Sequence, residues 1–353
     1  MKTDQNPIVL QVVPALDQGG VERGVIEMDN ALVAAGWNSI VVSAGGRLVE
    51  QLQGKHLRLP MHTKNPAKIL MNAHFLKFVI KENNVDIVHA RSRAPAWSAY
   101  MAAKKTRAHF VTTFHGTYGI GNELKRKYNS VMIKGEKVIA VSEFIKRHII
   151  ENYKLDPTRI VTIPRGADLN KFRPDTTPVG LALPAGKIVM LPGRITRWKG
   201  QHVFVEAMRG LDAVGVIIGD VENRNYIQEL EKTLPDNIII LPGTHDLAPV
   251  LANADIVVSA STRPEAFGRI AVEAQSMGKP VIATNIGGAL ETVIDGKTGL
   301  HVPPDDPGAM RAAIVKLLAA PSMREACIAN AANFTTAKMC ATTIELYKSL
   351  LGK

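Results

Sequence analysis

The 353-residue sequence is poor in cysteine and in long apolar runs. Its two cysteines, Cys327 and Cys340, are too few for a disulfide-stapled fold and are typical of a protein of the reducing cytoplasm. No run of 18 apolar residues occurs, so no segment predicts a transmembrane helix. The first residues also lack the apolar core of a signal peptide. We therefore expect a cytoplasmic location.

Aromatic residues are also scarce, at 5% of the chain, while apolar residues make up 46% and charged residues 21%. This composition is that of an ordinary globular protein, and the length suits two domains. The scarcity of aromatic residues and the lack of zinc-finger or RNP-like patterns argue against a nucleic-acid-binding module.

The net charge of +11 is placed unevenly along the chain. Residues 1–175 contain 26 Lys and Arg against 15 Asp and Glu, whereas residues 176–353 contain 17 of each kind. The basic residues cluster at Lys104–Arg107, Lys125–Lys127, Lys134–Lys137 and Lys146–Arg147. Such a field attracts the phosphates of an anionic membrane surface, an acidic acceptor or nucleic acid. The alternative for any single cluster is a solvated helix face.

Short apolar segments alternate with helical patterns, which predicts an α/β protein with parallel sheets. The predicted strands are Ile8–Val13, Ile40–Ser43, Asp86–Ala90, His109–Thr113, Lys137–Val141 and Ile160–Ile163 in the first half, and Ile188–Leu191, Val214–Ile218, Ile238–Leu241, Ile256–Ser259 and Val281–Ala283 in the second. A Pro-rich segment, residues 172–184, separates the halves and predicts an interdomain linker. Three helical patterns without strands between them follow residue 307.

The segment Arg-Pro-Glu-Ala-Phe-Gly begins a stretch with two glutamates eight positions apart, Glu265 and Glu273. A helical pattern opens at Gly268, and apolar runs on both sides of the stretch predict buried strands. Ligands bind at such strand–loop–helix junctions, where carboxylates accept hydrogen bonds from sugar and ribose hydroxyls. The alternative is a first-turn glutamate favoured by the helix dipole and a second, solvated glutamate.

A second junction lies in the loop Gly193–Gly200, which follows the strand predicted at Ile188–Leu191 and precedes a helical pattern. The loop contains Arg194 and Lys199. A diphosphate needs positive charge and a close backbone approach, and this loop supplies both. The alternative is a pair of solvated loop cations.

The two junctions resemble the E-x7-E and Gly-Arg…Lys-Gly motifs of family 4 (group 1) retaining glycosyltransferases, and the chain is similar to the lipopolysaccharide-core hexosyl- and mannosyltransferases. The resemblance implies the GT-B fold, in which two Rossmann-like parallel-sheet domains face a cleft. It implies an acceptor-binding domain at 1–172 and a nucleotide-sugar-binding domain at 173–335. A C-terminal helix at 336–353 is expected to cross back to the first domain.

The resemblance also implies roles for the candidate catalytic residues, which are Glu265, His115, Arg194 and Lys199, and for the donor-binding Glu273. Glu265 is expected to hold hydroxyls of the transferred sugar, Glu273 the ribose hydroxyls, and Arg194 and Lys199 the leaving diphosphate. These cations take the place of a metal ion, and the sequence contains no Asp-x-Asp, the metal-binding signature of the other large glycosyltransferase fold. We therefore expect no metal and no cofactor, and a UDP- or GDP-sugar as the donor.

His115 follows a predicted strand, and the resemblance makes it a contact to the donor sugar or to the acceptor hydroxyl. No nearby sequence orients it as a general base. Arg165 stands where the family has asparagine, so no polar role is carried over to it. The other implied donor-binding residues are Gly19, Gly20, Gly193, His245, Phe267 and Gly268.

The sequence thus predicts a retaining, metal-independent glycosyltransferase that moves a hexose to a glycolipid or lipopolysaccharide-type acceptor, peripherally bound at the inner face of the cell membrane. A transferase of the same fold that uses a soluble sugar or sugar-phosphate acceptor is one alternative, and a basic nucleic-acid-binding protein is another. The sequence leaves open the sugar, the base, the acceptor, the linkage, the details of retention and the oligomeric state.

Overall fold

The computed structural model describes residues 6–17, 19–119 and 121–353. The chain forms two compact units: unit 1 comprises Met1–Arg165 and Ala337–Lys353, and unit 2 comprises Gly166–Thr336. Each unit contains one parallel sheet with helices on both faces. In the part of the chain that the structure describes, no helix combines the length and the apolar character needed to cross a bilayer.

Unit 1 has a seven-stranded sheet in the order β3-β2-β1-β4-β5-β6-β7. Its central strand β1 pairs in parallel with both β2 and β4, so the strand order reverses at β1. The strands are β1 (Ile8–Val12), β2 (Asn38–Ser43), β3 (Lys55–Arg58), β4 (Ile87–Ala90), β5 (His109–Phe114), β6 (Lys137–Ala140) and β7 (Ile160–Thr162). The helices among them are α1 (Gly20–Ala34), α2 (Pro66–Glu82), α3 (Arg93–Ala103), α4 (Glu123–Asn129) and α5 (Glu143–Tyr153).

Unit 2 has a six-stranded sheet in the order β10-β9-β8-β11-β12-β13, with the reversal at β8. The strands are β8 (Ile188–Pro192), β9 (Val214–Ile218), β10 (Ile238–Leu241), β11 (Ile256–Ser259), β12 (Val281–Thr284) and β13 (Gly299–Val302). The helices are α6 (Gln201–Met208), α7 (Arg224–Glu231), α8 (Ala248–Leu251), α9 (Arg269–Ser276), α10 (Ala289–Thr292), α11 (Pro307–Ala319) and α12 (Arg324–Ala331).

Successive residues of a unit 2 strand enter two different hydrophobic cores. Val189 and Leu191 of β8 pack on one face of the sheet with Phe204 and Ile314, whereas Met190 packs on the other. Side chains alternate across a strand, so a sheet covered on both faces favours apolar residues at nearly every position. This preference explains why continuous apolar runs predicted these strands correctly.

The last helix, α13 (Thr336–Leu351), packs on unit 1 rather than on unit 2. Met339, Cys340 and Tyr347 lie in a core with residues of β1, α1, β4 and β5. The Tyr347 hydroxyl is also 2.5 Å from Nδ1 of the buried His89. The C-terminal helix therefore returns to the first sheet, as the resemblance implied.

Some local features differ from the sequence-based expectations. The edge strand β3 reads Lys-His-Leu-Arg and the edge strand β13 reads Gly-Leu-His-Val, and neither contains the apolar run that marks a central strand. Helix α4 ends at Asn129, and the chain continues as a 3-10 turn over Ser130–Ile133.

The chain passes from unit 1 to unit 2 at Arg165/Gly166, seven residues before the expected boundary at 172/173. The Pro-rich segment belongs to unit 2: Leu181 and Leu183 pack against its core, and the Val179 amide donates to Pro249 O at 3.0 Å. Proline and exposed polar residues indicated a linker, but the two leucines determine where the segment packs.

Candidate active site

Two loops meet at the carboxyl edge of the unit 2 sheet, because glycine allows their backbones to touch. Gly200 ends the loop after β8 with φ at +74°, and a Cβ there would lie 2.0 Å from Ala260 O, beyond the end of β11. The Thr262 amide donates to Trp198 O at 2.8 Å. The loop after β8 therefore carries Lys199 to the loop that follows β11.

Lys199 and Glu265 form a largely buried ion pair where these loops meet. The distance from Lys199 Nζ to Glu265 Oε1 is 2.8 Å, and each side chain is 16% exposed. The Ser261 hydroxyl donates to the same Oε1, and Ser259 Oγ lies 3.5 Å from it. Burial alone would raise the pKa of Glu265, but the charge of Lys199 and these hydrogen bonds outweigh it and hold the pKa below its usual range. The carboxylate is therefore ionised at neutral pH.

The backbone of Glu265 is fixed by a third loop, between β12 and α10. Gly288 N donates to Glu265 O at 2.8 Å, and Gly287 pairs with Glu265 in an isolated parallel bridge. A Cβ on Gly288 would lie 2.5 Å from the Cα of Phe267, so only glycine permits this approach. The ring of Phe267 is buried and packs edge to face on Phe334, at 5.6 Å between ring centroids.

Glu273 lies in helix α9, which begins after Gly268, a residue in the left-handed region at φ +85°. The Glu273 side chain is buried, and its Oε1 accepts from Arg269 Nε at 2.7 Å, one helical turn away. Each of the two glutamates is thus paired with its own cation. Glu273 is therefore not the solvated glutamate of the alternative interpretation given above.

Arg194 and His245 lie at the same edge of the sheet but make other contacts. Arg194 is 58% exposed and pairs with Glu222 at 3.0 Å. His245 is exposed in the loop after β10. This loop passes close to Asp220, since a Cβ on Gly243 would lie 2.3 Å from Asp220 Oδ1. Gly193 approaches Lys199, since a Cβ there would lie 3.8 Å from Cδ and Cε of that lysine. Among the candidate residues of unit 2, the structure therefore brings together Gly193, Lys199, Glu265, Phe267 and Gly268.

His115 of unit 1 is held by Arg165, a residue to which the sequence assigned no role. Arg165 Nη1 lies 3.2 Å from His115 Nδ1, and Nη2 of the same guanidinium donates to Gly20 O. Because arginine can only donate, Nδ1 accepts and the neutral ring carries its proton on Nε2. His115 Nε2 is buried and has no hydrogen-bond partner among the residues that the structure describes. A neutral ring with this orientation can donate from Nε2 to a ligand oxygen.

A cationic environment surrounds this histidine. Burial, followed by the charges of Arg165 and Arg91, holds the pKa of His115 well below its usual range. Arg91 is itself buried and donates from Nη2 to Gln11 Oε1 at 2.7 Å, at the ends of β4 and β1. The sequence signal for Arg165 was its position: it lies three residues after the end of strand β7, between a proline and a glycine. Gly19 ends the loop before α1 with φ at +143° and contributes no side chain.

We expect the free energy of unfolding to fall as the pH drops below about 6.5, because His115 and His89 stay neutral in the fold while the unfolded chain binds protons. Both folded pKa values are depressed, so stability is complete above the unfolded pKa and is lost as the pH falls towards the folded value. Each histidine contributes about 1.4 kcal/mol per pH unit in that window. Urea unfolding at about pH 7.5 and about pH 5.5 measures the loss, and His115→Asn should reduce it by one histidine's share. The same pH dependence in both proteins would contradict the assignment.

No group of three or more His, Cys, Asp or Glu within residues 6–17, 19–119 and 121–353 is arranged to hold a metal ion.

Comparison with known proteins identifies the family. The family model described as "Glycosyl transferases group 1" matches residues 179–334, and the one described as "Glycosyltransferase Family 4" matches residues 18–171. The crystal structure of a glycosyltransferase from Rickettsia africae is 41% identical, with a TM-score of 0.88, over 98% of this chain and 99% of that one. The chain belongs to the family 4 (group 1) glycosyltransferases.

Two further relatives of this glycosyltransferase have lower sequence identity. A D-inositol 3-phosphate glycosyltransferase of Corynebacterium urealyticum is 31% identical over 57% of this chain and 53% of its own length, so the chain spans about half of that curated relative. Anabaena HepE, solved with UDP-glucose, is 20% identical with a TM-score of 0.84, over 97% of this chain and 99% of HepE. The structure of the glycosyltransferase is therefore a GT-B fold, with two Rossmann-like parallel-sheet units.

Proposed function

We propose that this glycosyltransferase moves a hexose from a UDP- or GDP-sugar to an acceptor hydroxyl with retention of configuration. The observation that carries the proposal is the buried Lys199–Glu265 pair, a cation and an ionised carboxylate side by side at the carboxyl edge of the unit 2 sheet. A nucleotide sugar matches this pair chemically, because its diphosphate binds cations and its sugar hydroxyls donate hydrogen bonds to carboxylates.

The contacts of Glu265 suggest how it divides its two oxygens. Lys199, Ser261 and Ser259 all contact Oε1 in the described structure. In our proposal Oε1 keeps these contacts and Oε2 accepts from hydroxyls of the transferred sugar. The Lys199 ammonium has three hydrogens and gives one to Glu265, so the other two serve the diphosphate.

Stabilisation of the leaving diphosphate is assigned to Lys199 and Arg194. When the donor binds, Arg194 releases Glu222 and contacts the phosphate instead. Loss of the Arg194–Glu222 pair costs little free energy because that pair is on the surface. Glu273 accepts from the ribose hydroxyls while keeping its bond to Arg269, and His245 lies beside the base. His115 donates from Nε2 to an oxygen of the donor sugar or of the acceptor.

Retention is proposed to follow from attack on the same face of the sugar. The bond from the anomeric carbon to the diphosphate oxygen breaks, the bond to the acceptor oxygen forms on that face, and the acceptor proton passes to the leaving phosphate. Two carboxylates that flank a glycosidic bond would indicate a glycosidase instead. Here Glu273 is engaged by Arg269 and Glu265 by Lys199, which suits binding of one ligand.

A glycolipid at the inner face of the membrane is proposed as the acceptor. The support is the basic excess of residues 1–175, which favours a peripheral position at an anionic membrane. A soluble sugar phosphate is the second candidate, because the relative from C. urealyticum is named as a D-inositol 3-phosphate glycosyltransferase.

A panel of UDP- and GDP-sugars incubated without an acceptor tests the proposed chemistry. We expect slow hydrolysis of one donor, measured as release of its nucleoside diphosphate, with the same rate after EDTA treatment. The reason is that Lys199 and Arg194 supply the positive charge that a metal ion supplies elsewhere. Hydrolysis of no donor would count against the enzyme class, and a rate lost with EDTA and restored by Mg²⁺ or Mn²⁺ would show that a metal ion neutralises the diphosphate.

A further inference from the structure

Helix α2 is apolar on two opposite sides. Its inner side buries Leu76, Val79 and Ile80 against unit 1. Four large apolar side chains on the other side face solvent: Leu70 is 61% exposed, Met71 57%, Phe75 40% and Phe78 58%. Positions 71, 75 and 78 repeat at helical spacing and 70 adjoins them, so these residues share one side, which we call the outer apolar face.

This concentration of exposed apolar residues is unusual for the chain. Ten large apolar side chains are exposed among the described residues, and four of them, including both phenylalanines, lie on α2. Single exposed apolar residues are normal on protein surfaces, whereas a contiguous group marks a surface that binds something. A hydrogen bond also joins the helix to α3, since Ser98 Oγ donates to Ile69 O at 3.0 Å.

The charges around the outer apolar face select its occupant. Lys64 and Lys68 lie at the N-terminal end of the helix, Lys77 and Lys81 lie near its C-terminal end, and Glu82 is the only acidic residue between positions 62 and 82. A second copy of the chain, related by a two-fold axis, would bring these lysines against one another. An anionic bilayer instead offers phosphates to the lysines and an apolar interior to the side chains between them.

A neighbouring element carries the same combination of residues. In α4, Leu124 is 81% exposed and is followed by Lys125, Arg126 and Lys127. Both α2 and α4 adjoin α3: α2 packs along it, and Trp97 Nε1 of α3 donates to Tyr128 O of α4 at 3.0 Å. A second helix that contacts α3 therefore also combines an exposed apolar side chain with basic residues.

We propose that the outer apolar face of α2 docks on an anionic lipid bilayer, an inference that deepens the proposed function by stating how the enzyme reaches a lipid acceptor. Leu70, Met71, Phe75 and Phe78 insert below the head groups, and the flanking lysines extend back to the phosphates. Charge steers the protein to the membrane, and apolar burial holds it there.

Co-sedimentation with vesicles tests the docking with the full chain. The parent protein should bind phosphatidylcholine vesicles that contain phosphatidylglycerol more tightly than pure phosphatidylcholine vesicles, and less tightly as salt rises. Phe75→Ser/Phe78→Ser should lower the partition coefficient by about tenfold per phenylalanine. The matched control is Val179→Ser/Val315→Ser, which removes two exposed valines of unit 2 and should bind as the parent does.

Insertion is separated from simple adsorption by a Phe78→Trp variant. Its fluorescence should be quenched by lipids with brominated acyl chains, in excess of the signal of the parent's own tryptophans. Equal binding of the Phe75→Ser/Phe78→Ser variant and the parent, or no added quenching, would overturn the inference. A parent dimer that this double variant converts to a monomer would overturn it in favour of a second copy as the occupant.

The outcomes for α2 and for the donor site are independent. Phe75 and Phe78 are not among the residues assigned to the donor, so we expect donor hydrolysis in solution to be unchanged in the Phe75→Ser/Phe78→Ser variant. If the parent hydrolyses no donor, the proposed function is refuted. If the double variant binds vesicles as tightly as the parent does, only the docking of α2 is refuted.

Discussion

Replacement of Lys199 by alanine is expected to lower turnover by roughly 100- to 1,000-fold, because the largely buried ammonium is the cation best placed to stabilise the leaving diphosphate. Affinity for the nucleoside diphosphate should fall as well, since a charge-assisted hydrogen bond of about 1.5–3 kcal/mol is lost. Calorimetry with UDP and GDP, together with steady-state donor hydrolysis, measures both effects.

Two variants separate this role from a general loss of structure. Lys187→Ala removes an ion pair of similar length, 3.0 Å to Asp255, from the surface of unit 2 and should leave turnover unchanged. Lys199→Arg keeps the charge beside Glu265 and should recover part of the activity. If Lys199→Ala bound the diphosphate as the parent does, Lys199 would not be a diphosphate ligand.

The second large effect is a contrast between the two glutamates. Glu265→Gln should lower sugar transfer or hydrolysis by about 100-fold or more while nucleoside diphosphate affinity is retained, because Glu265 is assigned to the sugar and its removal leaves Lys199 available to the phosphates. Glu273→Gln should weaken nucleoside diphosphate affinity by about tenfold or more, because the charged acceptor for the ribose is lost.

The contrast is measured by titrating both variants with the same nucleoside diphosphate and by following turnover of the same donor. Circular dichroism and thermal unfolding check that both variants fold. An equal loss of nucleotide affinity in the two variants would contradict the assignment of Glu265 to the sugar and of Glu273 to the ribose.

Much of the fold could be predicted from local sequence because both sheets are covered by helices. A strand that is covered on both faces is mostly apolar, and the eleven predicted strands are mostly apolar, although some contain buried polar residues such as Gln11 and His89. Strands β3 and β13 lie at sheet edges, where one long side is unpaired and polar residues are tolerated. Their Lys-His-Leu-Arg and Gly-Leu-His-Val sequences resemble loops, so local composition could not identify them.

The candidate site was predictable only in part. Each loop motif was visible because glycine and charged residues directly follow an apolar strand. The partners were not visible, because Lys199 is 66 residues from Glu265 and Arg165 is 50 residues from His115 along the chain. No local pattern encodes which loops a reversal of strand order brings together.

The sequence by itself determined the class of fold, the edge of each sheet where the candidate ligand-binding residues lie and the uneven distribution of charge, since these depend on residue type and short-range spacing. Tertiary structure alone decided that Arg165 orients His115, that Glu265 stays ionised beside Lys199, and that α2 presents a second apolar face to solvent. The physical reason is that burial, pKa and ion pairing depend on which residues come together in space, and folding sets those distances across long separations in sequence.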